Sequence, residues 1–385
     1  MKRRLKQKIA LALLFVFAVM GVSQCPGMAN ASPEPKPVTV SLNTWEETFQ
    51  NQPFLQDGSA YLPLREMGRL LNGKTTWIAE ERRIVMSHPD VAVELTLGSK
   101  EAEINGEKVV MRTAPINKNG VVYVPVRFVT QAFGGKVAWD EKKRHVALTR
   151  EEPYMFLDYA GIGFWLARED GELHAAKGAE PSRLVADTNV AIKGYGQLEI
   201  ATLSDQTFVL KAYDNYGEPA NNSLIYKLVV SGGKLTLESK AYYYGHPVRG
   251  IDWSSAMHAL LVNGSTLYEV NHEGAIVATH DLQALTGYED ENFHVEWYDD
   301  EFMVVRPDRT GWLTLVNQKT KETVNLTETL LSKAQWDIYQ SLDKLSPEFA
   351  NWDGLNVVTR EGNRLQLNHY YFIDSKDTKY IYDLK

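Results

Sequence analysis

The densest cluster of residues able to do chemistry is YEDENFHVEWYDDE, residues 288–301, in which Glu289, Asp290, Glu291, Glu296, Asp299, Asp300 and Glu301 flank His294. Oxygen ligands at this density suit a Ca²⁺ ion. Two carboxylates facing each other across a cleft would instead suit glycoside hydrolysis. The plainer reading, a solvated acidic loop leading into a strand, is the one adopted, because spacing alone does not place the carboxylates in space. A second group is aromatic: YYYGH (242–246) and NHYYF (368–372) gather rings near turns. Period-2 alternation sends about half of such rings outward, so Tyr243 and Tyr370 are candidates for stacking on a sugar or peptide. A third pair, Arg65 and Arg127, stands at matching places in YLPLR (61–65) and YVPVR (123–127). Each guanidinium suits an anionic ligand, or a carboxylate or carbonyl that fixes a helix against a sheet; the structural role is preferred. No Gly-rich phosphate loop, His-Glu-x-x-His or Gly-x-Ser-x-Gly occurs. No catalytic residue, metal ligand or cofactor is assigned.

The elements that must hold these residues follow from a repeat. Residues 58–87 align without a gap on 120–149, an offset of 62, with shared Gly, Tyr, Pro, Arg, Gly, Lys, Trp and Arg. Each copy predicts strand, short helix, strand, turn, strand. Gly58 and Gly120 close turns, and Pro63 and Pro125 stand where a helix starts. Gly73 and Gly135 suit the left-handed residue that ends it. Trp77 and Trp139 open the next strand and are expected at equivalent buried positions. Ahead of the second copy lies a hairpin with Asn105-Gly106 as its turn. The two units are expected at 39–88 and 91–149, with the first lacking a full upstream hairpin.

NGVVYVPVRFVTQAFGGKVAWDEKKRHVAL, with INGE and PINKNG before it, resembles the stalk domain at the N-terminus of some copper amine oxidases, a module of exported Gram-positive bacterial proteins. The resemblance covers about residues 37–150. It implies an α+β domain at 39–150, a small antiparallel sheet curled around short helices, serving as a tether or spacer. It does not imply oxidase chemistry. That chemistry needs Asn-Tyr followed by an acid and a His-x-His copper pair, whereas NYGE (215–218) has Gly217 in the acid's place and no two histidines stand at that spacing.

From residue 151 the helical period fades. GFWLA, TFVLKAY, HALLV, EFMVV and NVVTR recur at loose intervals between Gly, Asp and Asn turns. Five units of this kind over 151–385 predict an all-β domain, a five-bladed β-propeller, with a β-sandwich pair as the alternative. One stretch departs from the pattern: over 327–346, Leu330, Leu331, Ala334, Ile338, Leu342 and Leu345 follow helical spacing and predict an inserted amphipathic helix.

The 385 residues begin with a basic head, an apolar run and Ala-Asn-Ala, which predict a secretory signal peptide over 1–31 and a Pro-rich linker over 32–38. Cleavage after Ala31 would remove Cys25, the only cysteine, and with it the site of an alternative lipid anchor, and would leave no transmembrane span. The formal charge of −8 becomes about −13 without the five signal cations, which argues against nucleic-acid partners. These features point to a non-enzymatic exported protein, secreted or held at the cell envelope, whose β domain binds a protein or polysaccharide of the envelope. The alternative is an envelope polysaccharide-processing enzyme using carboxylates of the β domain.

Overall fold

In the computed structural model, which describes residues 36–343 and 352–385, the repeated phrases become paired strands. The expected signal peptide and Cys25 lie outside the described residues. In chain order the first domain runs β1 (Thr39–Leu42), β2 (Trp45–Glu47), β3 (Phe54–Gln56), β4 (Ser59–Pro63), α1 (Leu64–Leu70), β5 (Lys74–Ile78), β6 (Arg83–His88) and β7 (Val91–Thr96). It continues with β8 (Glu101–Ile104), β9 (Glu107–Val110), β10 (Ile116–Lys118), β11 (Val121–Pro125), α2 (Val126–Ala132), β12 (Lys136–Asp140) and β13 (His145–Thr149). Asp57-Gly58 and Asn119-Gly120 have positive φ at both residues. This is the geometry of a type I′ turn, whose twist suits a two-residue hairpin.

β4 and β11 pair antiparallel with Tyr61 opposite Pro125, Leu62 opposite Val124 and Pro63 opposite Tyr123. Equivalent residues thus meet about a local two-fold axis. The tyrosines follow the same symmetry: Tyr61 donates to Ala114 O at 3.0 Å and Tyr123 to Gln52 O at 3.4 Å, and 52 and 114 are again 62 apart. The phrase is repeated because one copy is the other's partner strand.

The first copy has its hairpin after all. β1 and β2 turn at Asn43 (φ 56°), as β8 and β9 turn at Asn105 (φ 51°). The duplication therefore pairs 39–87 with 101–149, and the second unit does not begin at 91. β7 is the added piece. It sits between β6 and β8 in the sheet β5-β6-β7-β8-β9, whereas β1 lies directly and in parallel beside β13 in β12-β13-β1-β2. Val38, placed in the linker by sequence, is buried in this domain's core with Val40, Met67, Leu71, Val124, Val129 and Leu148.

Both helices end one residue earlier than expected. The left-handed residues are Asn72 (φ 47°) and Gly134 (φ 76°). Gly73 and Gly135 follow, donating back to Gly68 O and Thr130 O at 2.9 and 2.8 Å, the six-to-one bond of a Schellman end. They are glycine for space: a Cβ on Gly73 would stand 2.9 Å from the Phe133 ring, and one on Gly135 2.7 Å from Thr130 Cγ2. Trp77 and Trp139 are equivalent but not buried. Trp77 is 39% exposed and Trp139 only partly covered, because each lies on the outward side of a strand pair.

After residue 150 the chain forms five successive antiparallel sheets, spanning 154–187, 195–244, 259–281, 293–325 and 355–383 with four, four, three, four and three strands. Each of the five apolar runs falls in its own sheet. Core clusters join the first sheet to the second, second to third, third to fourth and fourth to fifth. Among the described residues no hydrophobic cluster joins fifth to first, so the arrangement observed is a succession of sheets. The inserted helix is two pieces, α4 (Leu326–Leu330) and α5 (Lys333–Ser341), following the short α3 (Leu282–Thr286). Ser332 breaks it by capping α5 with a Ser-x-x-Gln box. Of the expected stripe Leu331 is buried, Ala334 is exposed and Leu345 lies outside the described residues; the buried residue of α5 is Tyr339, one place from Ile338.

Pro37–Lys385 form one compact unit, and the joint between the first domain and the first sheet explains why. Arg150, almost fully buried, donates through Nε to Phe133 O at 2.8 Å and through Nη1 to Leu71 O at 2.9 Å. These are the equivalent C-cap carbonyls of α2 and α1, so one cation serves both helix ends. Arg150 also pairs with Glu152 and donates to His88 Nε2 at 3.0 Å. The His88 ring meets Phe133, Tyr154 and Trp165 edge-on, and Trp165 Nε1 donates to Asn72 O at 2.7 Å.

Candidate functional site

A wide cleft belongs to the second copy. About 670 Å³ in volume, it lies between the β3–β4 hairpin, residues 110–113, the first turn of α2 and β12. Met111, Val126 and Val146 form a buried apolar floor, Phe128 and Trp139 flank it, and Arg112, Arg127 and Gln131 stand at the rim. Trp139 is held by its indole N–H, which donates to Glu141 at 2.5 Å. Strand alternation positions Val137 and Trp139 on one face of β12, and the first turn of α2 aims Arg127 and Phe128 at the opening.

At the equivalent place of the first copy three side chains bind one another. Arg69 donates to Glu47 at 2.8 Å and to Glu66 at 3.2 Å. The residues 62 further on are Gln131, Val109 and Phe128. The ion triad is thus replaced by an amide and two apolar groups, and the space it would fill stays open. Sequence reading singled out Arg127 but passed over Arg112, Phe128 and Gln131; laying the two copies side by side is the signal that finds them.

Arg65 and Arg127 are both exposed, and neither makes a hydrogen bond or ion pair among the described residues. The role of fixing a helix to a sheet, preferred for them above, belongs to Arg150. Only Arg127 lines the cleft.

The acidic run is dispersed by folding. Glu289, Asp290 and Asp300 are exposed. Glu291 is buried and accepts from Arg309 N and Thr310 N, each at 2.9 Å, fixing a loop. Glu296 accepts from Arg306 Nε at 2.6 Å. Asp299 and Glu301 share Arg360, at 2.8 and 2.5 Å. Burial alone would raise Asp299, but hydrogen bonds from Trp297, Arg360 and two backbone N–H groups hold it below the usual carboxylate range. Glu301 is held low by Arg360 and Lys319. These two, with Asp300 and Lys319, line a cleft of about 350 Å³. Among the described residues, no group of three or more His, Cys, Asp or Glu side chains could hold a metal ion.

Tyr243 is not a surface ring. It is buried, donates to Phe293 O at 2.9 Å and stacks on His294 with centroids 4.1 Å apart. Burial pushes its phenol well above the ordinary range. Tyr370 is exposed. A buried hub that sequence reading missed lies nearby. Arg306, fully buried, donates to Glu296, to Asp353 at 2.7 Å and to Gly311 O and Leu355 O at 2.6 and 2.8 Å. Burial would lower it, but Asp353 and Glu296 outweigh that and keep it charged. This network ties the fourth sheet to the fifth.

Among the described residues no helix is long and apolar enough to cross a membrane. No curated protein matches this chain. Among solved structures, a Mycobacterium tuberculosis puromycin-hydrolyzing peptidase matches at 11% identity and TM-score 0.26 over 84% of this chain and 48% of its own, so the chain spans about half that protein's length. The WD40 domain of Neurospora crassa Pan2 matches at 9% identity and TM-score 0.23 over 83% of this chain and 82% of its own. Likenesses this weak carry no argument about fold or function. The family model described as the copper amine oxidase N-terminal domain matches residues 41–148. Those residues hold both copies of the repeat, its two helices and the cleft between β12 and the β3–β4 hairpin, so the likeness of this chain to the copper amine oxidase N-terminal domain lies in this stretch.

Proposed function

We propose that the chain is a non-catalytic binding protein of the cell exterior, secreted or held at the envelope, in which the stalk domain is a rigid arm that also carries a ligand cleft. The observation that carries this reading is the asymmetry between the copies. The first seals its surface with the Glu47–Arg69–Glu66 triad, and the second leaves an apolar floor rimmed by Arg112 and Arg127. Such a floor with a few polar groups around it is the usual form of a recognition cleft. The buried joint at Arg150, His88 and Trp165 supports a rigid arm over a loose tether. Trp139 and Phe128 offer ring faces to a glycan or peptide of the envelope.

A glycosidase needs one carboxyl group held protonated, with its pKa raised. Among the described residues the carboxylates displaced from their ordinary range are displaced downward, Asp252 by Lys227 and Lys211, Asp299 by hydrogen bonds from Trp297, Arg360 and backbone N–H groups, and Glu301 by Arg360 and Lys319, which favours binding over hydrolysis.

The test is co-sedimentation of the full chain with purified cell-wall polysaccharide and with wall stripped of polymer. Retention of the wild type and its loss in Trp139→Ala is the expected result. Equal sedimentation of both proteins would remove the cleft from the function. Release of reducing ends, abolished by Asp299→Asn, would establish the enzymatic alternative instead.

A further inference from the structure

Strand pairing in the second sheet places Lys211 directly opposite Lys227. Like charges facing each other across a strand pair are destabilising, and Lys227 is almost entirely buried. One carboxylate compensates. Asp252 accepts from Lys211 at 2.8 and 3.1 Å and stands 2.8 Å from Lys227 Nζ, whose other contact is Leu260 O at 2.5 Å. Two ammonium groups therefore share a single anion. Glu199 is opposite Lys211 on its other side; it is exposed, makes no ion pair with it among the described residues, and lines a small cleft of about 60 Å³ together with Lys211, Lys227 and Asp252.

The surplus charge is not sealed in. Lys211, Lys227 and Asp252 also line a cleft of about 330 Å³ among the second, third and fourth sheets, where Arg249, itself hydrogen-bonded to Asn356 and lying over the Trp352 ring, adds a guanidinium and Tyr213 a phenol, over apolar Val262 and Val295. Three cations and one carboxylate face this space. Lys211 lies 4.7 Å from the Tyr213 ring centroid, which steadies its ammonium at the cleft wall. Burial pulls Lys227 below its ordinary range even though Asp252 draws it upward, as expected where compensation is incomplete.

We infer that this cleft is a binding site for a small oxyanion, the carboxylate or phosphate group of a ligand, held by Lys211 and Arg249 above the shared Asp252. The site is distinct from the stalk cleft, and the inference stands independently of the reading above. An oxyanion would bring further negative charge to the half-buried Lys211 ammonium and the Arg249 guanidinium, where charge-assisted hydrogen bonds are strong. Lys227, fully engaged with Asp252 and Leu260 O, positions the carboxylate and sets the field.

The experiment is calorimetric titration of the full chain with sodium phosphate and, separately, sodium succinate. Variants are Lys211→Gln, Lys211→Arg and Val262→Trp, each checked for a cooperative melt. Saturable binding of one or both anions is expected, weakened about tenfold in Lys211→Gln, a change of about 1.4 kcal/mol. Lys211→Arg, which keeps the charge, is expected to stay within about threefold of wild type, roughly half that energy. Val262→Trp, which fills the cleft without altering charge, should abolish binding and separates a site effect from a folding effect in the charge variants. Preference for phosphate or for succinate identifies the ligand group. Failure of both anions to saturate would overturn the inference, as would unchanged affinity in Lys211→Gln or in Val262→Trp.

Discussion

The two copies of the stalk repeat share a backbone and differ in what their side chains do with it. In the first, Glu47, Glu66 and Arg69 bind one another over the end of the hairpin. In the second, Val109, Phe128 and Gln131 occupy those places and leave a cleft of about 670 Å³. The second difference lies in the sheets. The first copy's hairpin joins β13 directly, while the second copy's hairpin reaches β6 only through β7. The comparison teaches that duplication supplies two equal frames and that binding capacity comes from breaking the equality. A frame stabilised at its shared axis tolerates such divergence at its rim, because the residues that hold the copies together, Tyr61, Tyr123, Leu62, Val124 and Arg150, are not the ones that differ in role.

The strongest way to break the comparison is to remove what the copies share. Arg150→Met should destabilise the chain by about 3–5 kcal/mol, because it strands Glu152 and two helix-end carbonyls in a buried joint. Urea unfolding monitored by tryptophan fluorescence measures it. Both domains should lose stability together, since Trp165 is on the far side of the joint.

A smaller effect sharpens the symmetry of the helix ends. Gly135→Ala should cost about 1–3 kcal/mol through overpacking. Its Cβ meets Thr130 Cγ2 at 2.7 Å and two backbone oxygens at 3.2 Å. Gly73→Ala should cost less, because it meets chiefly the edge of the Phe133 ring, which can turn. Reversal of that order in thermal melts would mean that the two ends are not packed as described.

Converting the second copy into the first is the direct test of the cleft. Val109→Glu, Phe128→Glu and Gln131→Arg together should install the ion triad. Stability should fall by about 1–2 kcal/mol as the apolar area of Phe128 is lost, and wall retention should disappear. A triple variant that keeps retention would show that the cleft is not the determinant.

The smallest effect is expected from the triad itself. Arg69→Gln should cost at most about 1 kcal/mol, because the arginine is more than half exposed and such pairs are screened by solvent. It should not, by itself, create binding in the first copy. Chemical denaturation at low and high salt checks it, with the difference shrinking as salt rises.

Local rules made much of this legible in advance. Asp-Gly and Asn-Gly turns, Pro at the helix starts and the 62-residue offset placed most elements of the stalk, and five apolar runs marked five sheets. The first copy's hairpin, at 39–47 against 101–109, was not seen as complete because Thr44 in place of Gly106 hid the turn; Asn43 takes the left-handed conformation without help. The inserted helix was right in kind and wrong in continuity, because Ser332 with Gln335 makes a capping box inside an apolar stripe. Trp77 and Trp139 were misjudged because equivalence under a repeat carries no information about depth.

The candidate site was far less legible. Which acid meets which base depends on residues 10 to 61 positions apart: Glu296 with Arg306, Asp299 with Arg360, Asp353 with Arg306. Lys227 stood in plain view within LIYKLVV, a cation in an apolar strand, yet only pairing sets it across from Lys211 and beneath Asp252.

The sequence by itself therefore determined the repeat, its turns, its helix starts and the β character of the rest, since these rest on backbone conformations that neighbouring residues select. The tertiary structure alone decided the cleft, the dispersal of the acidic run, the burial of Tyr243 and the two lysines sharing one aspartate. Those depend on distances between segments remote in the chain, and electrostatic and packing energies are functions of distance and burial, neither of which a one-dimensional spacing contains.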